Sequence, residues 1–216
     1  MKKLLTHPRK EELENHIRLY LNDSGLTEEE ILDLLATIKY GSYDKDEIVF
    51  KIHHVCTLMG VLLSGKMITE YPNTQGKQNN TGMMYGKGFP LVCQKTSFDT
   101  QLESDCSTKA MEDSEIAYFT FDDTVKLYKD KPGLERVVRL LMNFKMAKDN
   151  KYHDDQKVLT NAERYEDLIK NDKPLYNAFD KKYIDGHFAT NKNTKSRSAK
   201  KKEKPSSSPS QTNLEF

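Results

Sequence analysis

Apolar residues change their spacing along the chain, and each spacing predicts a different kind of element. In residues 9–22 and 28–38 they recur at steps of three and four, which predicts two short helices. Between residues 39 and 121, short apolar runs alternate with turn residues, which favours β-strands. The helical spacing returns in residues 132–150. The pattern therefore predicts helices on both sides of a β-rich segment.

The predicted helix at 28–38 has a clear start. Thr27 can cap its first turn while Glu30, three residues later, bonds back to the cap, a capping box. In the β-rich segment, turn residues recur at regular intervals, which is typical of a β-sandwich or jelly roll. These turns lie at Asp44–Asp46, Ser64–Gly65, Pro72–Gly76, Gly86–Gly88 and Glu112–Ser114. Such a roll serves either as a scaffold or as a ligand-binding domain.

The segment from 132 to 150 has one apolar helical face. This face consists of Leu134, Val137, Val138, Leu141 and Phe144. Two interpretations remain open: a core helix of a single domain, or a dimerisation helix that joins two modules.

Composition narrows the class of protein. Apolar residues make up 36% of the 216 residues and charged residues 31%. The chain contains no apolar run of 18 residues, and its first residues include no apolar stretch of signal-peptide length, so we expect a cytoplasmic protein without a membrane span.

Metal, cofactor and enzyme chemistry have little support in the sequence. Cys56, Cys93 and Cys106 form no CxxC pair and fit free, reduced thiols. His53 and His54 are adjacent, and in a strand such neighbours would point to opposite faces and could not both bind one metal without a bulge. Because no nucleophile–base pair, P-loop or metal-ligand spacing occurs, we expect no catalytic residues, no metal and no cofactor.

Charge is distributed unevenly, although the net charge is only +1. Residues 181–204 contain nine basic and two acidic residues, while residues 1–180 carry an acidic excess. This asymmetry predicts a polyanionic partner for the C-terminal part.

Four segments, in order, resemble the cyclic-nucleotide-binding β-roll of Crp/Fnr-type transcription regulators. They are YDKDEIVF at 43–50, LLSGKMITEY at 62–71, YGKGF at 85–89 and AMEDSEIAYFTFDD at 110–123. The resemblance implies an α+β protein with a double-stranded β-helix, or jelly roll, in residues 1–131 and a dimerisation helix in 132–157. It also implies a helix-turn-helix domain in 158–202, and the Lys-, Ser- and Pro-rich residues 203–216 are typical of a disordered tail.

The resemblance continues at Glu163-Arg164-Tyr165 and at Lys182-Tyr183-Ile184. Asp180 can cap a helix over 181–188, and Asn191 can cap a second helix from 192 onward, which would enter a major groove. The implied DNA-contacting residues are Lys182, Tyr183, Lys192, Asn193, Thr194, Lys195, Ser196, Arg197, Lys200 and Lys201. Arg197 would read a guanine, and the lysines would hold phosphates.

This output domain departs from the family pattern. Ala189 replaces the turn glycine, and Thr190 and Lys195 stand where apolar packing residues are usual. The alternative, a solvated basic tail from Lys192 to Lys204, therefore stays open.

The implied effector pocket departs further from the family pattern than the output domain does. Its residues are Gly86, Gly88, Phe89, Leu91, Ser104 and Asp105. The family holds the cyclic phosphate with backbone N–H groups and an arginine. Here Pro90 removes a donor, and Glu103-Ser104-Asp105 lies where the arginine is expected. Lys95 and Lys109 could replace the positive charge of the missing arginine but not its two-pronged hydrogen-bonding geometry.

We therefore expect no tight cyclic AMP binding, and a small-molecule effector, if one exists, remains unknown. The favoured hypothesis is a homodimeric regulator that binds a palindromic DNA duplex. The alternative is a β-roll ligand-binding or protein-interaction module that does not bind DNA.

Overall fold

Two antiparallel sheets with helices on their outer faces make up the described part of the chain. The computed structural model describes residues 1–4, 6–21, 25–72, 78–130 and 158–188, with Gly133, Glu135, Val138, Arg139, Asn143 and Ala147. The strands are β1 (Lys2–Leu4), β2 (Lys39–Tyr43), β3 (Ile48–Phe50), β4 (Leu58–Ser64), β5 (Lys66–Pro72), β6 (Gln78–Tyr85), β7 (Leu91–Val92), β8 (Ser107–Ala110) and β9 (Ser114–Thr120). The helices are α1 (Lys10–Leu21), α2 (Glu28–Thr37), α3 (Lys95–Thr100), α4 (Phe121–Asp130), α5 (Asn161–Asn171), α6 (Lys173–Ala178) and α7 (Lys181–Phe188), with a 3-10 turn at Gly86–Gly88.

The two sheets have the crossed-over strand order of a jelly roll. One sheet runs β1-β2-β9-β4-β7 and the other runs β3-β8-β5-β6. Neighbouring strands are antiparallel throughout. The predicted α+β class and β-rich segment are confirmed, as is the capping box between Thr27 and Glu30.

The turn between β4 and β5 depends on Gly65. Its φ of +86° is a conformation that residues with a side chain rarely adopt. A Cβ atom there would also lie 2.3 Å from Ser114 Oγ and 2.6 Å from the Asp113 carbonyl oxygen. The turn therefore requires glycine for both backbone and packing reasons.

Strand neighbours point to opposite faces, and in this roll both faces are apolar. Leu62 and Ile116 face the inner core between the sheets. Their neighbours Leu63 and Ala117 face outward, where they pack with Leu13 of α1. Helix α1 therefore covers the outer face of the five-stranded sheet, and the N-terminal strand β1 extends its edge beside β2.

The outer face of the four-stranded sheet is covered by the C-terminal helices. Met67 of β5 lies in the inner core, whereas Ile68 faces outward into a separate apolar cluster. We call this cluster the seam. It joins Ile68, Met83, Tyr85 and Met111 of the roll to α5–α7 residues Tyr165, Leu168, Leu175, Tyr176, Ala178, Phe179, Tyr183, Ile184 and Phe188.

The three C-terminal helices are tied to one another as well as to the roll. Thr160 and Glu163 form a capping box at the start of α5. Arg164, which is buried, donates to the Phe188 carbonyl oxygen at 3.4 Å and to the Leu159 carbonyl oxygen at 3.1 Å. A cation at the end of α7 satisfies a carbonyl that has no partner within its own helix. The helix predicted over 181–188 is confirmed with the same bounds.

Only part of the predicted helix at 132–150 can be assessed. All six described residues between 133 and 147 are helical. Val138 packs against the inner core of its own chain. Leu134, Val137, Leu141 and Phe144 of the predicted dimer face lie outside the described residues. Among the described residues, no helix has the length and apolar character needed to cross a bilayer.

Adjacent residues of β5 provide a direct test of the seam. An aspartate at position 68 would place a charge in an apolar contact, which costs several kcal/mol unless the contact opens. We expect Ile68→Asp to release α5–α7 while the roll stays folded, so that proteolysis cuts within residues 158–188 and the remainder resists.

The matched control is Met67→Asp, which places the same charge in the inner core and should unfold the roll itself. If Ile68→Asp unfolds the roll to the same extent, or leaves α5–α7 equally resistant to proteolysis, the two-sided arrangement is wrong.

Candidate effector site

The wall of the candidate pocket is the segment that runs from the turn at Gly86–Gly88 through β7 and α3 to β8. Its first part is held by Arg9. The Arg9 guanidinium donates to the carbonyl oxygens of Leu63 and Gly86, and it lies 4.3 Å from the centroid of the Phe89 ring. Glu12 accepts from the same guanidinium at 2.7 Å. This one side chain therefore joins the N-terminal segment to both the β4 end and the turn.

A second contact of the N-terminal segment fixes a histidine tautomer. The Arg9 backbone N–H donates to His7 Nδ1 at 3.0 Å, so that nitrogen is the acceptor. Nε2 then carries the hydrogen and faces Glu115 Oε2 at 2.8 Å. Ser64 Oγ donates to the same carboxylate oxygen at 2.7 Å. Partial burial alone would raise the pKa of Glu115, but the hydrogen bonds from Ser64 and His7 outweigh it and lower that pKa.

Helix α3 begins with a glutamine that has two roles. Gln94 Oε1 accepts the Ser97 N–H at 2.9 Å, which caps the helix. Its Nε2 donates to Asp105 Oδ1 at 3.1 Å, which joins the start of α3 to the segment before β8. Ser97 Oγ in turn accepts the Cys56 N–H at 2.9 Å. The helix is thus anchored to the segment before β4 and to the segment before β8.

Asp105 places a carboxylate in the region where the resemblance implies a phosphate-binding arginine. The Tyr71 hydroxyl interacts with Cys106 and Gln94 beside it, and burial, with the nearby Cys106 and Asp105, raises the pKa of Tyr71. Burial likewise raises the pKa of the Cys106 thiol. Tyr71, Gln94, Asp105 and Cys106 therefore form a polar network in which neutral groups surround one carboxylate.

The two lysines that could replace the missing arginine each face an acid. Lys95 pairs with Asp99 on the same helix. Lys109 Nζ lies 3.9 Å from Asp46 Oδ1. Their positive charges are partly neutralised by these neighbours, and a second anion beside Asp105 would be repelled.

The predicted pocket residues lie in two parts of the roll, the segment before β8 and the region around the 3-10 turn. Ser104 and Asp105 lie together at the start of β8, where Ser104 Oγ donates to the Cys106 carbonyl oxygen at 2.9 Å. Gly86 and Gly88 form the 3-10 turn, and Leu91 packs toward the inner core.

Phe89 is the exception among the predicted pocket residues. Its φ of 50° lies in the left-handed region, and its ring packs under α1 with Leu13, Tyr40 and Leu63. It therefore lies on the outer face of the sheet, away from Ser104 and Asp105. The ring of Phe89 thus contributes to the packing of α1 on the sheet, and its role as a pocket residue stays a prediction.

The predicted DNA-contacting residues can be placed only in part. Lys182 is exposed on α7, with its Nζ 4.7 Å from the centroid of the Tyr183 ring. Tyr183 is half-buried in the seam, where its ring meets Phe179 edge-on at 6.3 Å. The other predicted contacts lie outside the described residues: Lys192, Asn193, Thr194, Lys195, Ser196, Arg197, Lys200 and Lys201.

Several residues of this region were not anticipated from the sequence. Gln94 and Tyr71 carry no motif, and Arg9 acts over more than fifty residues of chain. Cys56 and Cys93, which are far apart in sequence, both belong to the inner core of the roll. Within the described residues, no three histidine, cysteine or acidic side chains are grouped as metal ligands would be.

Solved structures share this fold. A candidate cyclic-nucleotide-binding protein of Ruegeria pomeroyi superposes with a TM-score of 0.55 and 17% identity, covering 88% of this chain and 86% of that one. A candidate cAMP-binding regulatory protein of Silicibacter pomeroyi superposes with a TM-score of 0.55 and 18% identity, covering 86% of this chain and 85% of that one. The catabolite activator protein of Thermus thermophilus superposes with a TM-score of 0.50 and 18% identity, covering 60% of each chain.

At such low identity these likenesses show the fold alone: a β-roll of the cyclic-nucleotide-binding type. No protein-family model matches the sequence, and no curated protein sequence matches it.

Cyclic AMP should bind weakly, with a dissociation constant in the millimolar range or above by titration calorimetry. The reason is the Asp105 carboxylate in the region where the resemblance implies the phosphate-binding arginine, and the absence of a two-pronged cation beside it among the residues that the structure describes. Asp105→Asn keeps the acceptor for Gln94 and removes the charge, so it should tighten phosphate-containing ligands by about 1 kcal/mol. A micromolar dissociation constant for the unaltered chain would contradict this view of the site.

Glu115 should make the free energy of unfolding depend on pH in the acidic range. Because its pKa is lower in the folded chain than its ordinary value of 4.5, its contribution is present above that value and is lost as the pH falls through the folded pKa. Glu115→Gln should lower the free energy of unfolding by up to about 1 kcal/mol at neutral pH, after allowance for its exposure. Denaturant titrations should show this difference shrinking below pH ~4.

The control is Glu11→Gln, an exposed α1 glutamate. It should lower the free energy of unfolding by less than Glu115→Gln does, by the few tenths of a kcal/mol typical of an acidic residue in the first turn of a helix. A Glu115→Gln deficit that stays constant as the pH falls would show that the lost contact is not electrostatic.

Proposed function

We propose that the chain is a DNA-binding transcription regulator of Crp/Fnr type that acts as a homodimer and whose roll does not respond to cyclic AMP. The observation that carries this proposal is the attachment of a three-helix unit to a roll of the cyclic-nucleotide-binding type, with the basic stretch of residues 181–204 beginning at the start of α7. Helix α7 supplies the first helix of a helix-turn-helix, and residues 192–201 supply the second.

The charge distribution supports a nucleic-acid partner. Nine basic residues between 181 and 204 form the only strongly basic stretch of an otherwise acidic chain. A polyanion attracted to this stretch would be repelled by the rest of the molecule, which directs binding to one end.

The structural neighbours support the same architecture. The Ruegeria pomeroyi and Silicibacter pomeroyi proteins cover 88% and 86% of this chain, which is more than the roll and its N-terminal helices alone could supply. The second of these is described as a candidate cAMP-binding regulatory protein. The Asp105 network argues that any effector of the present chain differs from a cyclic nucleotide.

The deciding experiment is selection of bound duplexes from a randomised DNA pool at near-physiological salt. The full chain would be compared with a chain ending at Phe188, which keeps α5–α7 and the seam and removes the basic segment. We expect a palindrome with half-sites about one helical turn apart for the full chain and no enrichment for the shorter one. Salt-sensitive binding without an enriched sequence would overturn the proposal and leave a basic tail on a ligand-binding roll.

Arg197 and Lys200 should contribute differently to DNA binding. Arg197→Ala should weaken binding to the selected duplex by ~1–3 kcal/mol and relax the preference at one base pair. Lys200→Ala, the matched control, should weaken all duplexes alike and reduce the slope of affinity against salt by about 1. Equal and uniform losses from both variants would contradict direct base recognition by Arg197.

The dimer face is best tested away from Val138, because Val138 contacts the inner core of its own chain. Leu141→Asp, from the same predicted stripe, should convert a dimer into a monomer in light scattering, since a charge in an apolar helix interface is costly. Asn143→Asp, at an exposed position of the same segment, should leave the dimer intact. A dimer that survives Leu141→Asp would show that this stripe does not form the interface.

A further inference from the structure

A surface cleft lies where the roll meets α6. Its volume is about 350 Å³, which is within the range of small-molecule sites. The end of β6 and the 3-10 turn line it from the roll, and α6 lines it from the other side. The lining residues are Tyr85, Lys87, Lys173, Pro174, Asn177 and Ala178, and none of them belongs to the predicted effector pocket.

The α6 side of the cleft follows from helical spacing. Lys173 and Asn177 are four residues apart, as are Pro174 and Ala178, so these residues share one side of the helix. Pro174 is tolerated because it lies in the first turn, where its missing N–H is not needed. Ala178 and Tyr85 both belong to the seam, which fixes this side of α6 against the roll.

The roll side of the cleft is held by contacts of the main chain. Gly86 is buried, and a Cβ atom there would lie 2.7 Å from the Ser64 backbone, so the turn packs tightly on the end of β4. The Arg9 guanidinium donates to the carbonyl oxygen of Gly86 and, at 3.5 Å, to that of Lys87. The backbone that carries Lys87 is therefore fixed, while its side chain is exposed.

The cleft carries positive charge without a matching acid. No acidic residue lines it, and within the part of the chain that the structure describes neither lysine forms an ion pair. By contrast, Lys66 in the same sheet as β6 pairs with Glu112 at 2.9 Å. Asp172, which precedes Lys173, accepts the Leu175 N–H at 3.1 Å as the cap of α6.

We propose that this cleft binds a small organic anion with at least two acidic groups, one for each lysine. An ammonium group donates to oxygens in several directions, so phosphate and carboxylate groups both suit it. The Asn177 amide can donate to a further oxygen. Tyr85 and Ala178, which are half-buried, offer apolar surface to the carbon frame of the ligand.

Such a ligand would contact the roll and α6 at once and so stabilise the seam. Binding there does not rest on the chain being a DNA-binding protein. The experiment must still be resolved by residue, because the basic stretch 181–204 attracts anions by its charge alone.

The test is acylation of lysines in the full chain by an amine-reactive reagent, read for each lysine by mass spectrometry. Inorganic pyrophosphate is titrated in one arm and citrate in the other, at near-physiological salt, so that the arms separate phosphate from carboxylate recognition. We expect at least one probe to slow the acylation of Lys87 and Lys173 together and to saturation. Lys170, an exposed lysine of α5 outside the cleft, should keep its rate.

Three other outcomes would overturn the proposal. They are protection confined to residues 181–204, protection of Lys170 equal to that of the cleft lysines, and no protection by either probe. Each would mean that the cleft has no affinity for anions beyond that of the general surface.

Variants assign the contribution of each charge. Lys87→Gln and Lys173→Gln should each weaken the effective probe by about fivefold, read from protection of the remaining cleft lysine, because each removes one unit charge at contact distance in water. Lys170→Gln is the matched control and should leave the affinity unchanged. All three lysines are exposed, so the variants keep the fold. Equal losses in the three variants would show that only net charge matters and would contradict a defined site.

Discussion

The fold depends on one constraint: the strands of the roll are apolar on both faces, so each sheet must be covered on the outside as well as the inside. Leu62 and Ile116 fill the inner core, and their neighbours Leu63 and Ala117 are covered by α1. Met67 fills the same core, and its neighbour Ile68 is covered by the C-terminal helices. The roll's own strands therefore hold the elements outside the roll, and the C-terminal helices pack on β5, a strand that also lines the inner core.

The candidate effector site lies where α3 meets the segment before β8. There Asp105 brings a negative charge, and Gln94 at the start of α3 donates a hydrogen bond to it. Arg9 contributes its charge elsewhere, to the Leu63 and Gly86 carbonyl oxygens and to Glu12. Electrostatics, more than shape, therefore argues against a phosphate-containing ligand.

Local features of the fold were predictable from the sequence. The capping box at Thr27, the turn at Gly65 and the bounds of α7 follow from short-range rules. Adjacent apolar pairs such as Met67-Ile68 indicate burial on both faces, but they do not reveal what covers the outer one, because that partner is a hundred residues away. The packing of Phe89 under α1 and the burial of Cys56 and Cys93 in one core likewise arise from tertiary packing, for which no spacing in the chain is a signal.

The most direct test of the seam is hydrogen exchange of the unaltered full chain under native conditions. If α7 is packed on β5 and β6 as described, the amides of Ile184 and Phe188 should be protected nearly as strongly as those of Ile68 and its β5 neighbours, because the helix opens only when the seam does. Exchange of α7 at the rate of a solvent-exposed helix, beside a protected β5, would contradict the claim that the C-terminal helices and the roll form one packed body.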